Sequence, residues 1–207
     1  MVGRVATVIQ EADARRRLVL RAAAELVLDH GVEGATARGI AARAGTSVAS
    51  LYRLFPDKES VLAATLKAQL ADLAAWQRER LPDASCDAAS LFVALFDGYV
   101  AWCATRADYR ALWFTGGGGA ALQEIRWRST GELVDLCVSR LVGAGPRKAN
   151  RAVPAALRSQ VTVVVAAADR VVDASYRYPA NRHKIVAAGR ASLVRYLERT
   201  RVSAASA

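Results

Sequence analysis

From Arg15 onward the chain takes on a helical rhythm. Leu18, Val19, Ala22, Ala23, Leu26 and Val27 recur on one face, while Arg17, Arg21, Glu25 and Asp29 fall on the other. The pattern predicts a first helix ending near His30, with Gly31 free to take the left-handed conformation just beyond it. Residues 1–14 carry no clear apolar period and are read as a flexible arm. Thr36 stands where an N-cap belongs, before a two-turn helix over Ala37–Arg43. Ala44-Gly45-Thr46 interrupts it, and Ser47 caps a second short helix running to about Arg53. Pro56-Asp57 stops that helix and opens a long one from Lys58 to about Arg80, with Pro82 beyond its end.

The remaining pattern predicts further helices at roughly Cys86–Arg106, Asp108–Phe114, Ala120–Val142, Arg151–Tyr178 and Ala180–Arg199. Their connectors fall at 116–119, 143–146 and Pro179. Ala, Leu, Val and Arg dominate the composition and only 5 Pro occur, so the expected fold is all-α, with about nine helices. Residues 201–207 read as a frayed tail.

A helix-turn-helix needs a small residue at the helix crossing, a glycine in the tight turn, and apolar residues that lock the second helix in place. Ala41 lies four residues before Gly45, and Ile40, Ala44, Leu51, Leu54 and Phe55 supply the lock. With those inward, the helical period turns Ser47, Val48, Ser50, Tyr52 and Arg53 outward or to the flank. Ser47 and Ser50 suit base edges or phosphates, Val48 suits a thymine methyl, and the Tyr52 hydroxyl can reach a phosphate. Thr36 and Lys58 each open a helix, where free N–H groups and the dipole favour phosphate. Arg38 and Thr46 complete the candidate DNA contacts.

The stretch from Leu18 to Leu66 resembles the tetracycline-repressor (TetR) family. The carriers are Ala22-Ala23, Gly31, Thr36-Ala37-Arg38, Ile40-Ala41, Ala44-Gly45, Ser47, Leu51-Tyr52, Phe55 and Lys58-Glu59, all at the family's spacing. Three positions depart: Ala49 where Gly is frequent, Thr46 for a usual Val, and Gly39 where an acidic residue is common. The resemblance implies a three-helix DNA-binding unit over 15–60. It also implies a helical domain over 61–200 that forms a homodimer and binds a small-molecule effector, and loss of binding to a palindromic double-stranded DNA operator on ligation. That is the expected behaviour of a repressor.

Beyond residue 85 the likeness is architectural only. Phe92, Phe96, Tyr99 and Cys103 share a helical face, and Trp102, Trp113, Phe114 and Trp127 are further candidates for lining a ligand cavity. Trp76 joins them, on the long helix that leaves the DNA-binding unit. Val161–Ala168 reads as a helix buried on most sides, in a core or an oligomer interface. With Ile185, Val186, Leu193, Val194 and Leu197 it falls where the family would put its dimer contact.

The formal net charge is +10, but residues 1–60 hold nine Lys/Arg against seven Asp/Glu, so most of the excess lies outside the proposed reader. Charge therefore permits a nucleic-acid partner without carrying the case. The rival it leaves open is a ligand-independent or architectural DNA-binding protein using the later arginines. Arg147, Lys148 and Arg151 suit an acidic partner or a plain exposed loop.

Cys86, Cys103 and Cys137 are odd in number and widely spaced, which suggests neither disulfides nor zinc and fits a reduced cytoplasmic setting. The Val161–Ala168 run is too short for a membrane span, so no membrane partner is expected. Gly116–Gly119 lacks the Lys-Ser/Thr of a phosphate loop, and neither GxSxG nor HExxH occurs. No catalysis, cofactor or metal is expected.

Overall fold

The computed structural model describes residues 2–82, 86–114, 116–142 and 155–200. The expected connector at 143–146, the basic residues Arg147, Lys148 and Arg151, and the tail at 201–207 lie outside the described residues. Among those described, every regular element is helical. They are α1 (Val2–Gly34), α2 (Ala37–Arg43), α3 (Val48–Leu54), α4 (Lys58–Arg78), α5 (Ala88–Thr105), α6 (Ala107–Trp113), α7 (Gly119–Leu141), α8 (Ala155–Arg177) and α9 (Arg182–Arg199). A single 3-10 turn at Pro179–Asn181 leads into α9.

Helix α1 is continuous up to Gly31, whose φ of 72° breaks the helix where the sequence places its end. Its start differs from expectation, because the helix already runs from Val2 through the segment read as an arm. The reason is physical: residues 10–18 are all exposed, so no buried face imprints an apolar period there. Glu11, Ala12, Ala14 and the arginines that follow are strong helix formers without one.

Two compact units emerge. The first joins residues 1–72 to Arg106–Arg126, a grouping of segments distant in sequence. Its core forms where Val19, Ala23 and Val27 of α1, Ile40 of α2, Leu51 of α3 and Leu62 of α4 are each at most 1 % exposed. Helix α6 packs on α1 and contributes the fully buried Leu112. Arg106 pairs with Asp108 at 3.2 Å, and Gln69 of α4 donates to the same carboxylate at 2.9 Å. Arg126 donates to the carbonyls of Leu112 and Gly117 at 2.6 and 3.1 Å, tying the C-terminal end of α6 to the glycine connector. Burial lowers the Arg126 pKa, with Tyr109 acting the other way.

The second unit comprises residues 73–105 and 127–207. Helix α5 is its most apolar element; with a mean hydropathy of 1.4 it is long and apolar enough, by composition, to cross a membrane. Leu91, Phe92, Phe96, Trp102 and Cys103 on it are buried within the protein. Polar pairs fix its neighbours: Arg190 of α9 grips Asp97 with two bonds of 2.9 and 3.0 Å, and the Tyr99 hydroxyl donates to Asp169 of α8 at 2.9 Å. The Val161–Ala168 run is buried on one side only. Val161 and Val164 face inward, whereas Val163 is 54 % exposed.

Candidate nucleic-acid interface

The geometry of the first unit is set by two serine/threonine caps and one glycine. Thr36, in extended conformation, accepts a hydrogen bond from Gly39 N–H at 3.1 Å and starts α2. Gly39 has no side chain for a reason: a Cβ there would lie 3.2 Å from Thr36 Oγ1 and 3.3 Å from Leu26 Cδ1, so the cap and α1 occupy its space. Helix α2 ends at Ala44, and Gly45 then turns the chain at φ +66°. The turn is closed by Gly45 N–H to Ala42 O and Thr46 N–H to Ala41 O, at 3.2 and 2.9 Å.

Ser47 caps α3 by accepting from Ser50 N–H at 3.1 Å. Ile40, Ala41, Leu51 and Phe55 are then buried, which fixes how α3 lies on the unit. Full burial of a leucine such as Leu51 contributes roughly 1.5–3 kcal/mol. Ala44 and Leu54, also expected in the lock, are only half-buried at its margin.

With Leu51 inward, the opposite face of α3 stands in solvent. Ser47, Val48, Ala49, Tyr52 and Arg53 are exposed, Tyr52 at 48 % and Val48 at 37 %. Ser50 is half-buried and central to a short polar chain: its hydroxyl is 3.0 Å from that of Ser47 and accepts from the Arg53 guanidinium at 2.6 Å. Of the remaining candidates, Thr36 and Arg38 are exposed, while Thr46 and Lys58 are half-buried.

Lys58 opens α4 beside Asp57, whose carboxylate accepts from Ser60 N–H at 2.6 Å. The Ser60 hydroxyl and amide together hold the Asp57 carboxyl below its ordinary pKa, against a slight opposing effect of burial. Lys58 Nζ lies 4.0 Å from Glu33, a loose pair that leaves its charge available. Arg53 turns outward as the sequence predicts, but its anchoring by Ser50 was not legible. The signal was present in the Ser50-to-Arg53 spacing, which brings residues three apart together on a helix.

The candidate ligand-cavity residues are less coherent. Phe92 and Phe96 stack with centroids 5.3 Å apart, Trp76 and Trp102 meet at 5.9 Å, and Cys103 is fully buried in the same unit. Tyr99 is half-buried and bonded to Asp169. Trp113 and Phe114 belong to the other unit, where Trp113 stacks on Tyr109. Trp127 is 79 % exposed. Among the described residues no group of three His, Cys, Asp or Glu could hold a metal ion.

A seven-residue helix, a glycine turn and a second seven-residue helix with a polar outward face define a helix-turn-helix unit. Comparison with known proteins agrees. Residues 19–65 match the family described as bacterial regulatory proteins, tetR family. Over 55 residues the chain is 46% identical to an HTH-type transcriptional regulator of Mycobacterium tuberculosis strain H37Rv, a match covering 27% of this chain and 29% of that one. The aligned part thus spans less than a third of that relative.

Among solved structures, a TetR-family transcriptional regulator from Streptomyces coelicolor is 25% identical with a TM-score of 0.71, covering 89% of this chain and 98% of the other. FadR from Bacillus subtilis, solved in complex with stearoyl-CoA, shares the fold at 16% identity and a TM-score of 0.62, covering 92% and 99%. The chain is thus similar to TetR-family regulators in its residues 19–65 and, with the Streptomyces coelicolor regulator, in its fold.

Proposed function

We propose that the protein is a dimeric, sequence-specific DNA-binding regulator of transcription, a repressor released from a palindromic operator by a small molecule. The observation that carries this reading is the outward face of α3, where Ser47, Val48, Ser50 and Tyr52 stand on a helix locked by Leu51 and Phe55. In this role α3 enters the major groove. Ser47, Val48 and Ser50 meet base edges, while Thr36, Arg38, Thr46, Tyr52 and Lys58 hold the phosphates that set the register.

Exposed Val163 on α8 supports a covering second copy, since an isolated apolar side chain gains from leaving water. The aromatic core of α5 with Trp76 supports a small-molecule site, as does the stearoyl-CoA complex of a protein with the same fold. Ligand acts by favouring a conformation in which the paired reading helices no longer match successive major grooves, about 34 Å apart.

Selection of bound fragments from genomic DNA at near-physiological salt tests the reading. The expected result is a short inverted repeat recovered reproducibly. Binding with steep salt dependence and no enriched sequence favours the architectural alternative instead.

A further inference from the structure

Helix α1 carries a long exposed stretch ahead of its packed part. Residues 10–18 are exposed without interruption, and among the described residues the first buried side chain is Val19. At 1.5 Å per residue, those nine residues extend the helix by about 13 Å beyond its packed part. Such an extension adds no core, yet it carries three consecutive arginines, Arg15, Arg16 and Arg17. Among the described residues none of the three takes part in an ion pair, unlike Arg21 with Glu25 and Arg43 with Asp29 on the same unit.

One contact fixes where this basic stretch lies. The Arg16 guanidinium sits over the Phe55 ring, 4.4 Å from its centroid. Phe55 ends α3, its N–H bonded to Leu51 O at 2.9 Å, and Lys58 begins α4 three residues later. The arginines are therefore held at the junction between the reading helix and the helix start assigned above to phosphate. Successive helical residues are about 100° apart, so Arg15 and Arg17 flank Arg16 on either side.

Glu11 and Asp13 lie one turn back, four residues before Arg15 and Arg17, but form no ion pair with them among the described residues. Pairs of that kind are worth only a few tenths of a kcal/mol when exposed, little competition for a polyanion.

We propose that Arg15, Arg16 and Arg17 form a second contact with the DNA backbone, gripping phosphates that flank the base pairs read by α3. The inference rests on the DNA-binding reading above. Because guanidinium–phosphate contacts carry no base information, the stretch adds affinity and salt dependence while leaving sequence preference unchanged.

The test is a salt series of binding titrations comparing wild type with the double variant Arg15→Gln/Arg17→Gln, which keeps Arg16 on Phe55, and with the triple variant that also has Arg16→Gln. The probes are the strongest fragment from genomic selection, a scrambled duplex of equal length, and the fragment trimmed to its inverted repeat. The double variant is expected to bind both full-length duplexes more weakly by the same factor. Its slope of log affinity against log salt should fall by about 1–2, as loss of one or two phosphate contacts requires. Its thermal midpoint should be unchanged, and trimming the fragment should abolish the advantage of wild type.

An unchanged slope in both variants, while Lys58→Ala lowers its own, overturns the inference and leaves the DNA-binding reading intact. Wild type that does not distinguish the selected from the scrambled duplex overturns that reading, and the inference with it.

Discussion

The hydroxyls of Ser47 and Ser50 lie 3.0 Å apart at the start of α3, and Ser47 Oγ also accepts the Ser50 amide at 3.1 Å. One side chain thus both starts the reading helix and joins its outward polar face. Ser47→Ala removes the cap and should cost about 1 kcal/mol of stability, read in chemical denaturation. Ser47→Asp retains an N-cap acceptor and should be as stable as wild type, yet its carboxylate would face DNA phosphates and abolish operator binding. Equal DNA affinity for wild type and Ser47→Asp would remove this residue from the interface.

Two glycines should respond to alanine with opposite signs. Gly45 sits at φ +66° and a Cβ added there would meet no atom within 4 Å, so Gly45→Ala incurs backbone strain alone. The expected loss is about 1–2 kcal/mol. Gly98 lies inside α5 in open space and without a positive φ. There, Gly98→Ala should stabilise by up to about 1 kcal/mol through helix propensity. Urea denaturation of the two variants beside wild type checks both signs.

Thiol chemistry separates the cysteines. Cys137 is 6 % exposed and its burial pushes the thiol up to about 12 from an ordinary 9.0. The folded state therefore binds the proton more tightly than the unfolded chain does. The associated stability is full below pH 9 and is lost as pH rises towards 12, by up to about 1.4 kcal/mol per pH unit. In reductant, the stability gap between wild type and Cys137→Ala should shrink between about pH 8 and about pH 10.5. A constant gap would contradict the assignment. At neutral pH a thiol reagent should modify half-buried Cys86 well before Cys103 or Cys137.

Much of the reader was legible because its signals are local. Thr36 and Ser47 announce caps, Gly45 the turn and Pro56-Asp57 the next helix, and each sits where the physics of helix ends requires. The pattern predicts α2 over Ala37–Arg43, and the helix is found there. Non-local contacts left no such mark. The pairing of Arg16 with Phe55 spans two intervening helices, and nothing in the apolar period announces an exposed extension.

The same limit governs the aromatic residues. Periodicity puts Phe92, Phe96, Tyr99 and Cys103 on one helical face; Phe92, Phe96 and Cys103 are buried there, whereas Tyr99 is half-buried. It could not tell that Trp127 is exposed or that Trp113 packs on Tyr109 in the other unit. The Val161–Ala168 run reads as buried on most sides, in a core or an oligomer interface; within the single chain the face carrying Val161 and Val164 is covered while Val163 is exposed.

The most direct test of the account concerns the Tyr52 hydroxyl, which is displayed on a side chain 48 % exposed. Equilibrium binding of wild type, Tyr52→Phe and Lys58→Ala to the selected fragment, with a scrambled duplex as competitor, isolates the role of α3 and its edge. The expected result is strong preference of wild type for the selected fragment, with roughly tenfold weaker binding in each variant and unchanged thermal midpoints, as loss of a hydrogen bond to a charged group implies. Identical binding by all three proteins, with no preference between duplexes, would contradict the assignment of α3 as the reading helix.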